Sequence, residues 1–372
     1  DMQKQAFIEE GAVSAEVRMQ RIQQVIDMLV EHKEELCQAM GEDFGGRPAV
    51  FSLANDILGS LSSLKHARDH LRDWLGDSER PSVKPFDMFG ATAWVKYQPK
   101  GVIGIIGTWN APLFTLLSPL ACVLAAGNRA ILKPSEVVPR TADVLAGAFA
   151  ELFDPLEIAV VTGDAELAQV FTAQAFDHLV FTGSTAVARS VMRNAAQNLV
   201  PLTLELGGKS PVIISRSADL AKAAFSIAVA KANNGGQICI NPDVVYVPRE
   251  QMEDFLGLLG AAYSELLPAT DANPDVVAVV NDRHLQRIEG YVQDARQRGA
   301  RVERFPRALE VDALTRRRPL QVVINPPRDS LILQEEIFGP SLSILRAENM
   351  DEAIRINNGV NFGLSASIFT SN

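Results

Sequence analysis

Three residues of the chain have side chains and local settings suited to covalent chemistry at a carbonyl carbon. The first is Cys239, in the polar, glycine-rich segment Asn233–Ile240 directly after a predicted helix. Loops held by rigid elements are where nucleophiles are placed, and a cysteine with a free-thiol pKa of about 8.5 is already strongly nucleophilic at neutral pH. On local sequence alone, a small buried hydrophobe remains at least as good an interpretation of Cys239. It is the preferred interpretation of Cys37 and Cys122, which lie in predicted helices.

The other two residues are Glu205 and Asn110. Glu205 lies near the end of the apolar segment Leu202–Gly208, where it is either a general base at the rim of a site or an ordinary exposed residue. Asn110 lies in Gly107–Pro112, after a predicted strand. Its amide could donate to an oxyanion, or it could simply form a turn.

Two further segments could bind the phosphates and sugars of a nucleotide. Gly183 and Ser184 follow a predicted strand and open a helix, whose backbone N–H groups could bind a pyrophosphate. The glycine pattern is incomplete because Ala188 closes it, and Ser184 could be only a helix N-cap. Lys133 and Glu136 end another strand, where an acidic group can hold ribose hydroxyls; a solvated turn is the alternative.

A third segment and a histidine pair are less specific. Glu335–Pro340 runs from a charged pair into an aromatic residue and a Gly-Pro turn. It could line a cofactor pocket, but by itself it is only a loop. His66 and His70 are spaced to share one helix face, yet no third ligand accompanies them, so we predict a polar surface and no metal site.

The elements that must position these residues follow a regular pattern. The N-terminal stretch reads as helices, with Ile22, Val25, Ile26 and Leu29 at the spacing of one apolar helix face. A second helical stretch is predicted over Leu53–Trp74, followed by a connector at Gly76–Pro85 and an exposed strand or arm at Ala91–Tyr97. From Gly101, short apolar strands alternate with helices, which indicates a doubly wound parallel sheet. A second series of strands and helices begins after Gly208. The pattern therefore predicts an α/β chain of two domains.

Composition narrows the class of function. The net charge is −10 and the charges are mixed along the sequence, which argues against a nucleic-acid partner. No apolar run approaches the roughly 20 residues that cross a bilayer, and the first residues do not resemble a signal peptide. The three cysteines lie far apart with no disulfide or zinc spacing, which favours a reducing, cytoplasmic location.

Together, the order of these segments resembles the aldehyde dehydrogenase superfamily over essentially the whole chain. Finer detail is similar to the class 3-like branch that includes coniferyl aldehyde dehydrogenases. The segments that carry the resemblance are Gly101–Pro112, Leu124–Glu136, Phe181–Thr185, Leu202–Pro211, Asn234–Asp243 and Gln334–Pro340.

The resemblance implies a role for each candidate residue. Cys239 would be the nucleophile and Glu205 the general base, and Asn110 with the Cys239 backbone N–H would stabilise the oxyanion. The implied cofactor is NAD, with NADP possible, bound through residues on several segments. These residues are Trp109, Lys133, Glu136, Gly183, Ser184, Glu336 and Phe338.

The resemblance also implies a reaction sequence. Attack on the aldehyde gives a thiohemiacetal, loss of hydride to the nicotinamide gives a thioester, and water activated by Glu205 releases the acid. We expect a dinucleotide-binding domain over residues 1–205, with a bridging arm at about 86–99, and a catalytic domain over 206–372. Aromatic or medium-chain apolar aldehydes are the expected substrates.

Departures from the family pattern leave alternatives open. Ala188 stands where many relatives have glycine, and Asn241 replaces a small residue. The family's closing Pro-Phe-Gly-Gly-like segment and C-terminal strand are missing, so we expect the catalytic domain to be C-terminally incomplete. The resemblance implies a homodimer for the full-length protein. A CoA-acylating aldehyde dehydrogenase and a catalytically retired binding or structural protein are the alternative functions.

Overall fold

The computed structural model describes residues 1–268, 273–307, 315–359 and 363–371, and it divides into two compact units. The first unit contains residues 1–39 and 53–205, and the second contains residues 40–52 and 206–372. The sequence prediction assigned all of residues 1–205 to one domain, and the structure corrects it by grouping the segment 40–52 with the second unit. The backbone of this segment is hydrogen-bonded to a distant part of the sequence: the carbonyl of Gly46 accepts from the N–H of Ala278 at 3.1 Å. Local sequence does not reveal such a contact.

The described helices and strands follow one another through both units. The helices are α1 (Met2–Glu10), α2 (Ala15–Glu31), α3 (Lys33–Phe44), α4 (Ala49–Ser52), α5 (Gly59–Trp74), α6 (Phe114–Ala125), α7 (Pro139–Leu152), α8 (Ala165–Thr172), α9 (Thr185–Ala195), α10 (Leu220–Ala232), α11 (Met252–Leu266), α12 (Asp282–Gln297), α13 (Leu331–Gln334) and α14 (Met350–Asn357). The strands are β1 (Ser78–Arg80), β2 (Ala93–Val95), β3 (Val102–Ile106), β4 (Arg129–Lys133), β5 (Ile158–Val160), β6 (His178–Gly183), β7 (Leu202–Leu206), β8 (Pro211–Ile214), β9 (Val244–Pro248), β10 (Arg301–Phe305), β11 (Leu320–Ile324), β12 (Ser341–Ala347) and β13 (Ser367–Phe369).

The apolar stripe predicted on α2 is buried in the first unit. Ile22, Val25, Ile26 and Leu29 are all at most 4% exposed, and the side chain of Ser14 caps the start of the helix by accepting from Val17 N–H. Burial of this stripe is the main stabilisation that an amphipathic helix of this length receives.

The sheet of the first unit has the strand order β5-β4-β3-β6-β7. β3 pairs in parallel with β4 on one side and with β6 on the other, and β4 pairs in parallel with β5. The chain therefore moves outward from β3 through β4 to β5 and then returns to the other side of β3. This reversal creates a switch point outside the carboxyl ends of β3 and β6, the place where open α/β sheets bind ligands.

The arm predicted at about 86–99 contains a short 3₁₀ turn, Phe86–Phe89, and strand β2, which pairs antiparallel with β1. The side chains of Met88 and Phe89 are more than 80% exposed. The arm is therefore a thin hairpin with apolar residues on its surface.

The sheet of the second unit has the order β10-β11-β12-β9-β8-β13. The strands pair in parallel except at β10, which is antiparallel to β11. One face packs on α10 and α11, with Phe255 and Leu259 fully buried, and the other packs on α12, with Ile288 and Val292 buried. The predicted α/β class, with a doubly wound parallel sheet and a second α/β domain, is confirmed.

Two kinds of feature are missing from the part of the chain that the structure describes. None of its helices combines the length and the apolar character that a membrane span requires. Its acidic, histidine and cysteine side chains also form no cluster that could hold a metal ion. The ring of His70 stacks on Trp74 along α5, and the ring of His66 lies tilted against both.

Candidate active site

In the first unit, several predicted site residues lie at or just after the carboxyl ends of adjacent parallel strands. Trp109 and Asn110 come just after β3, Lys133 ends β4, and Gly183 ends β6. Because β3, β4 and β6 are parallel neighbours, their carboxyl ends lie at the same edge of the sheet. The structure thus brings these residues to the edge that contains the switch point.

Asn110 is held in one orientation by its neighbours. Its side chain is buried, and Oδ1 accepts a hydrogen bond from the hydroxyl of Thr108 at 2.5 Å. The N–H of Thr108 in turn donates to Oγ1 of Thr115, at the start of α6. Because Oδ1 is the acceptor, the amide nitrogen is the atom that can donate to an oxyanion. Sequence reasoning missed Thr108, although it stands two residues before Asn110.

Lys133 and Glu136, which were predicted to hold the same ribose, contact one another. The Lys133 ammonium is buried and donates to Oε2 of Glu136 at 3.3 Å and to the carbonyl of Gly163 at 3.3 Å. The Glu136 side chain is about half exposed, which leaves its carboxylate accessible from solvent. The two residues therefore present one cation and one anion at the end of β4.

Ser184 is the N-cap of α9, which was the alternative interpretation of this residue. Its Oγ accepts from the N–H of Val187 at 3.4 Å. A hydroxyl also carries one hydrogen that it can donate, so capping does not exclude a contact with phosphate. A side chain at Gly183 would lie within 2.5 Å of the ring of Phe181, which explains glycine at this position.

Glu205 lies on β7 with its side chain exposed, and its neighbours Leu204 and Leu206 are half-buried. The strand therefore alternates, and the carboxylate is on the side that water can reach. It belongs to the first unit, whereas Cys239, Glu336 and Phe338 belong to the second.

In the second unit, Cys239 follows a tight turn with an unusual backbone. Asn234, Gly235 and Gly236 have φ of 49°, 58° and 75°, the left-handed region that non-glycine residues rarely adopt. Gln237 is fully buried and holds this turn: Nε2 donates to the carbonyls of Asn234 and Ala278, and Oε1 accepts from Val280 N–H.

The three cysteines differ in exposure. Cys37 is buried, as predicted, and Cys239 is half-buried. Cys122 was predicted to be buried but is exposed. The reason is that it lies on the side of α6 that also carries the half-exposed Ser118, one turn away, and Thr115, two turns away, and this side is only partly covered. Desolvation by the neighbouring residues nevertheless raises the pKa of the Cys122 thiol. The raised pKa lowers the fraction of thiolate at neutral pH, so Cys122 is a poor nucleophile.

Asn241, a departure from the family pattern, fastens the end of the Cys239 loop. It is buried, and its Nδ2 donates to the carbonyl of Ala230 in α10 at 2.5 Å. A small residue could not make this bond, so the departure adds a contact between the loop and the helix.

Glu336 is held by the glycine pair at the start of the second unit. Its Oε1 accepts from the N–H of Gly208 at 3.0 Å, and a side chain at Gly207 would lie only 2.2 Å from the same carboxylate. Burial raises the pKa of Glu336 to about 7, even though the Gly208 N–H favours the ionised form. Asp243 raises the pKa further, and Arg287 and Lys209 oppose it.

Phe338 has a φ of 50°, which is unusual for an aromatic residue. The segment around it is fixed on both sides, by a hydrogen bond from Ile337 N–H to Asp243 and by Gly339, where a side chain would collide with Ile288. Strain of this kind persists only where the surroundings enforce it, and it clusters at functional sites.

Sequence reasoning missed three buried charged groups near these residues: Lys209, Asp243 and Lys231. The ammonium of Lys231 donates to the carbonyl of Pro242 at 3.1 Å, and burial lowers its pKa to about 7. A signal was present, because Lys231 interrupts the apolar stretch of α10 and Lys209 directly follows the glycine pair.

Comparisons with known proteins agree with this architecture. The model of the aldehyde dehydrogenase family matches residues 2–372. A probable coniferyl aldehyde dehydrogenase of Caulobacter vibrioides is 47% identical over 355 residues, which cover 95% of this chain and 73% of the relative. The coniferyl aldehyde dehydrogenase of a Pseudomonas species is 43% identical and is matched over 99% of this chain and 76% of its own length.

Among solved structures, the indole-3-acetaldehyde dehydrogenase AldA of P. syringae, in complex with NAD+ and IAA, superposes with a TM-score of 0.89 at 29% identity. The match covers 100% of this chain and 75% of that one. The predicted resemblance to the superfamily and to its class 3-like branch is confirmed. The chain belongs to the aldehyde dehydrogenase family.

Proposed function

We propose that this chain oxidises an aromatic aldehyde to the carboxylic acid with NAD(P) as the acceptor, through a thioester on Cys239. The observation that carries the proposal is the backbone around this thiol. A left-handed turn at Asn234–Gly236, locked by the buried Gln237, presents a half-buried cysteine. A cysteine that served only as core filling would not need such a turn.

The residues present fit a dinucleotide. The edge of the first sheet offers a helix N-terminus at Ser184 for phosphate and the paired Lys133 and Glu136 for ribose hydroxyls. In the second unit, the Glu336 carboxylate keeps acceptor capacity beyond its bond to Gly208 and can accept from a second ribose. When bound, the nicotinamide supplies the acceptor for the hydride that leaves the substrate carbon.

We assign the chemistry on the protein side as follows. The Cys239 thiolate attacks the carbonyl carbon, the sulfur–carbon bond forms, and the carbonyl π electrons move to oxygen. The side-chain amide of Asn110, oriented by Thr108, is the donor we assign to that oxyanion. After oxidation to the thioester, the exposed Glu205 accepts a proton from water, which attacks the acyl carbon and expels the thiolate.

Cofactor preference is part of the proposal. The carboxylate of Glu136 would repel the 2′-phosphate of NADP more than the 2′-hydroxyl of NAD. NAD is therefore the proposed preferred cofactor. Comparing kcat/KM for the two cofactors, in the wild type and in Glu136→Gln, tests this assignment, and a wild type that favours NADP would contradict it.

The substrate class rests on the relatives. The two coniferyl aldehyde dehydrogenases suggest aromatic aldehydes, and medium-chain apolar aldehydes are the second class to assay. A panel of aromatic, aliphatic and acidic aldehydes, assayed for NADH formation, tests the proposal. The expected result is that kcat/KM is highest for an aromatic member, and Cys239→Ala should show no activity on any member.

The alternative functions lack specific support. CoA-acylating relatives typically lack the general base, whereas Glu205 is present and exposed. A retired family member has no need to keep Cys239, Glu205 and Asn110 together. Measuring CoA consumption during aldehyde oxidation separates the first alternative, and absence of NADH formation on the whole panel would favour the second.

Two further parts of the proposal concern the protein in the cell. We propose that the full-length protein is a homodimer and that it acts in the cytoplasm, since its cysteines have neither disulfide nor zinc spacing. Light scattering of the purified full-length protein tests the first point, and fractionation of its cells tests the second.

A further inference from the structure

Lys209 and Asp243 form an ion pair in the interior of the second unit. The side chain of Lys209 is 0% exposed and that of Asp243 is 4% exposed. The ammonium donates to Oδ1 of Asp243, to the carbonyl of Ile332 at 2.7 Å and to the carbonyl of Glu335 at 2.9 Å. All three ammonium hydrogens therefore have acceptors, as a buried charge requires.

The second oxygen of Asp243 reaches the same segment. Its Oδ2 accepts from the N–H of Ile337 at 2.8 Å. The ion pair thus fixes the backbone at Ile332, Glu335 and Ile337, which lie just before and between the two residues proposed to contact the cofactor. Glu336 is flanked by two of these three anchored positions.

The same residues also adjoin the loop that carries the nucleophile. The N–H of Asp243 donates to the carbonyl of Ser210, and the hydroxyl of Ser210 donates to the carbonyl of Cys239 at 3.4 Å. The turn before Cys239 also packs against the far end of the anchored segment, because a side chain at Gly236 would lie 2.3 Å from the carbonyl of Gly339. The Cys239 loop is therefore linked to the segment 332–339 through Asp243 at one end and lies against it at Gly236 at the other.

We propose that the Lys209–Asp243 ion pair is a positioning device, which holds the segment 332–339 in register with the Cys239 loop so that Glu336 and Phe338 are preorganised for the cofactor. The inference rests on the proposed function for the roles of these residues. It assigns to Lys209 and Asp243 a contribution to cofactor affinity that acts through the backbone they anchor.

Stability alone does not account for this pair. A buried ion pair can often be replaced by apolar side chains of similar volume without loss of stability, because desolvation of the two charges offsets their attraction. Apolar side chains cannot accept from the Ile337 N–H or donate to the carbonyls of Ile332 and Glu335. The double substitution Lys209→Met with Asp243→Leu therefore separates anchoring from packing.

The test uses this double variant in a Cys122→Ser background, because Cys122, although a weaker nucleophile, is exposed to iodoacetamide and would add a second slow reaction. Three quantities are measured against the background protein: the urea midpoint of unfolding, hydrogen exchange of the peptide covering 331–340, and the Kd for NAD. The rate of Cys239 alkylation by iodoacetamide, with and without NAD, is the fourth. Peptide mapping assigns the alkylation to Cys239.

We expect a urea midpoint close to that of the background protein, exchange of the 331–340 peptide about tenfold faster, and a Kd for NAD about tenfold higher. NAD should also alter the Cys239 alkylation rate less than in the background protein. Unchanged exchange and unchanged Kd in a folded double variant would overturn the proposal. If the double variant fails to fold, Asp243→Asn replaces it, because asparagine keeps the volume of the side chain and one acceptor. This variant must show faster exchange of the 331–340 peptide and a higher Kd for NAD, both to a smaller extent. Unchanged exchange and Kd in this variant would overturn the proposal.

Lys231→Met is the matched control. It also removes a buried amino group near Asp243, but Lys231 donates to Pro242 and not to the segment 332–339. Exchange of the 331–340 peptide and the Kd for NAD should stay within about twofold, and equal effects in both variants would contradict anchoring. A background protein that binds no NAD would sink the proposed function, and hydrogen exchange would still decide whether the ion pair anchors the segment.

Discussion

The backbone N–H of Gly208 donates to the carboxylate of Glu336 across 3.0 Å. The preceding Gly207 leaves the space that this carboxylate occupies, since a methyl group there would lie 2.2 Å from an oxygen atom of Glu336. The glycine pair that opens the second unit is therefore part of the setting of Glu336. The close approach explains why a residue without a side chain stands at position 207.

Gly207→Ala should displace Glu336 and weaken NAD binding by about tenfold, because a displaced carboxylate no longer meets a ribose hydroxyl at bonding distance. Titration of the protein with NAD measures the change. Gly257→Ala is the control, since nothing lies within 4 Å of the added methyl group in α11. The control should bind NAD as the wild type does, and an equal loss in both variants would contradict the assignment.

The raised pKa of Glu336 predicts a pH dependence of cofactor binding. Only the ionised carboxylate is a full acceptor for ribose hydroxyls, and its pKa is about 7 before cofactor binds. NAD affinity should therefore fall as the pH drops below about 7, by up to about tenfold for each pH unit. Measuring the Kd between about pH 5.5 and pH 8.5 tests this, and Glu336→Gln should bind more weakly but with no such dependence.

The raised pKa of Glu336 has the opposite effect on folding stability, which should be higher at low pH. Because the pKa of Glu336 is raised above its unfolded value of 4.5, this group favours the folded state most at low pH. Its contribution is lost as the pH rises from about 4.5 through about 7. Glu336→Gln should remove this part of the pH dependence of unfolding, so an unchanged dependence in the variant would count against the raised pKa.

Lys231 predicts a second pH dependence of stability. Its pKa is lowered to about 7 from 10.5, so between these values the unfolded state binds more protons and stability rises with pH. Lys231→Met keeps the stem of the side chain and cannot titrate. The wild type should gain on the order of a few kcal/mol more than the variant between about pH 7 and pH 10, as measured by urea unfolding. Parallel curves for the two proteins would refute a neutral buried amine.

Substitutions of Cys239, assigned to acylation, and of Glu205, assigned to deacylation, should block the reaction at different steps. Cys239→Ala should abolish both aldehyde oxidation and ester hydrolysis, because both need the sulfur nucleophile. Glu205→Gln should instead release a burst of about one NADH per active chain and then stall, since the thioester forms but water is not activated. Stopped-flow absorbance of NADH distinguishes the two. Glu166→Gln, an exposed residue in the first turn of α8, serves as the control.

The sequence predicted what local patterns determine. Alternating strands and helices indicated the parallel sheet and hence the strand ends at Asn110 and Lys133, because periodicity and turn residues are local. The apolar stripe of α2 was predicted for the same reason. These are also the parts of the fold that position the candidate cofactor residues.

What the sequence did not predict depends on contacts between distant residues. The pairing of Lys209 with Asp243 and the place of the segment 40–52 in the second unit both follow from tertiary packing. The exposure of Cys122 has the same origin, since only the packed structure shows which side of α6 is covered. The amide orientation of Asn110 likewise required the observed bond from Thr108.

The covalent intermediate on Cys239 can be measured directly. Glu205→Gln is mixed with an aromatic aldehyde and NAD, quenched in acid, digested and analysed by mass spectrometry. The account predicts that the acyl mass appears on the peptide containing Cys239 only when NAD is present, with Cys37 and Cys122 unmodified. NADH formation with no acyl group on Cys239, or with the acyl group on Cys122, would contradict it.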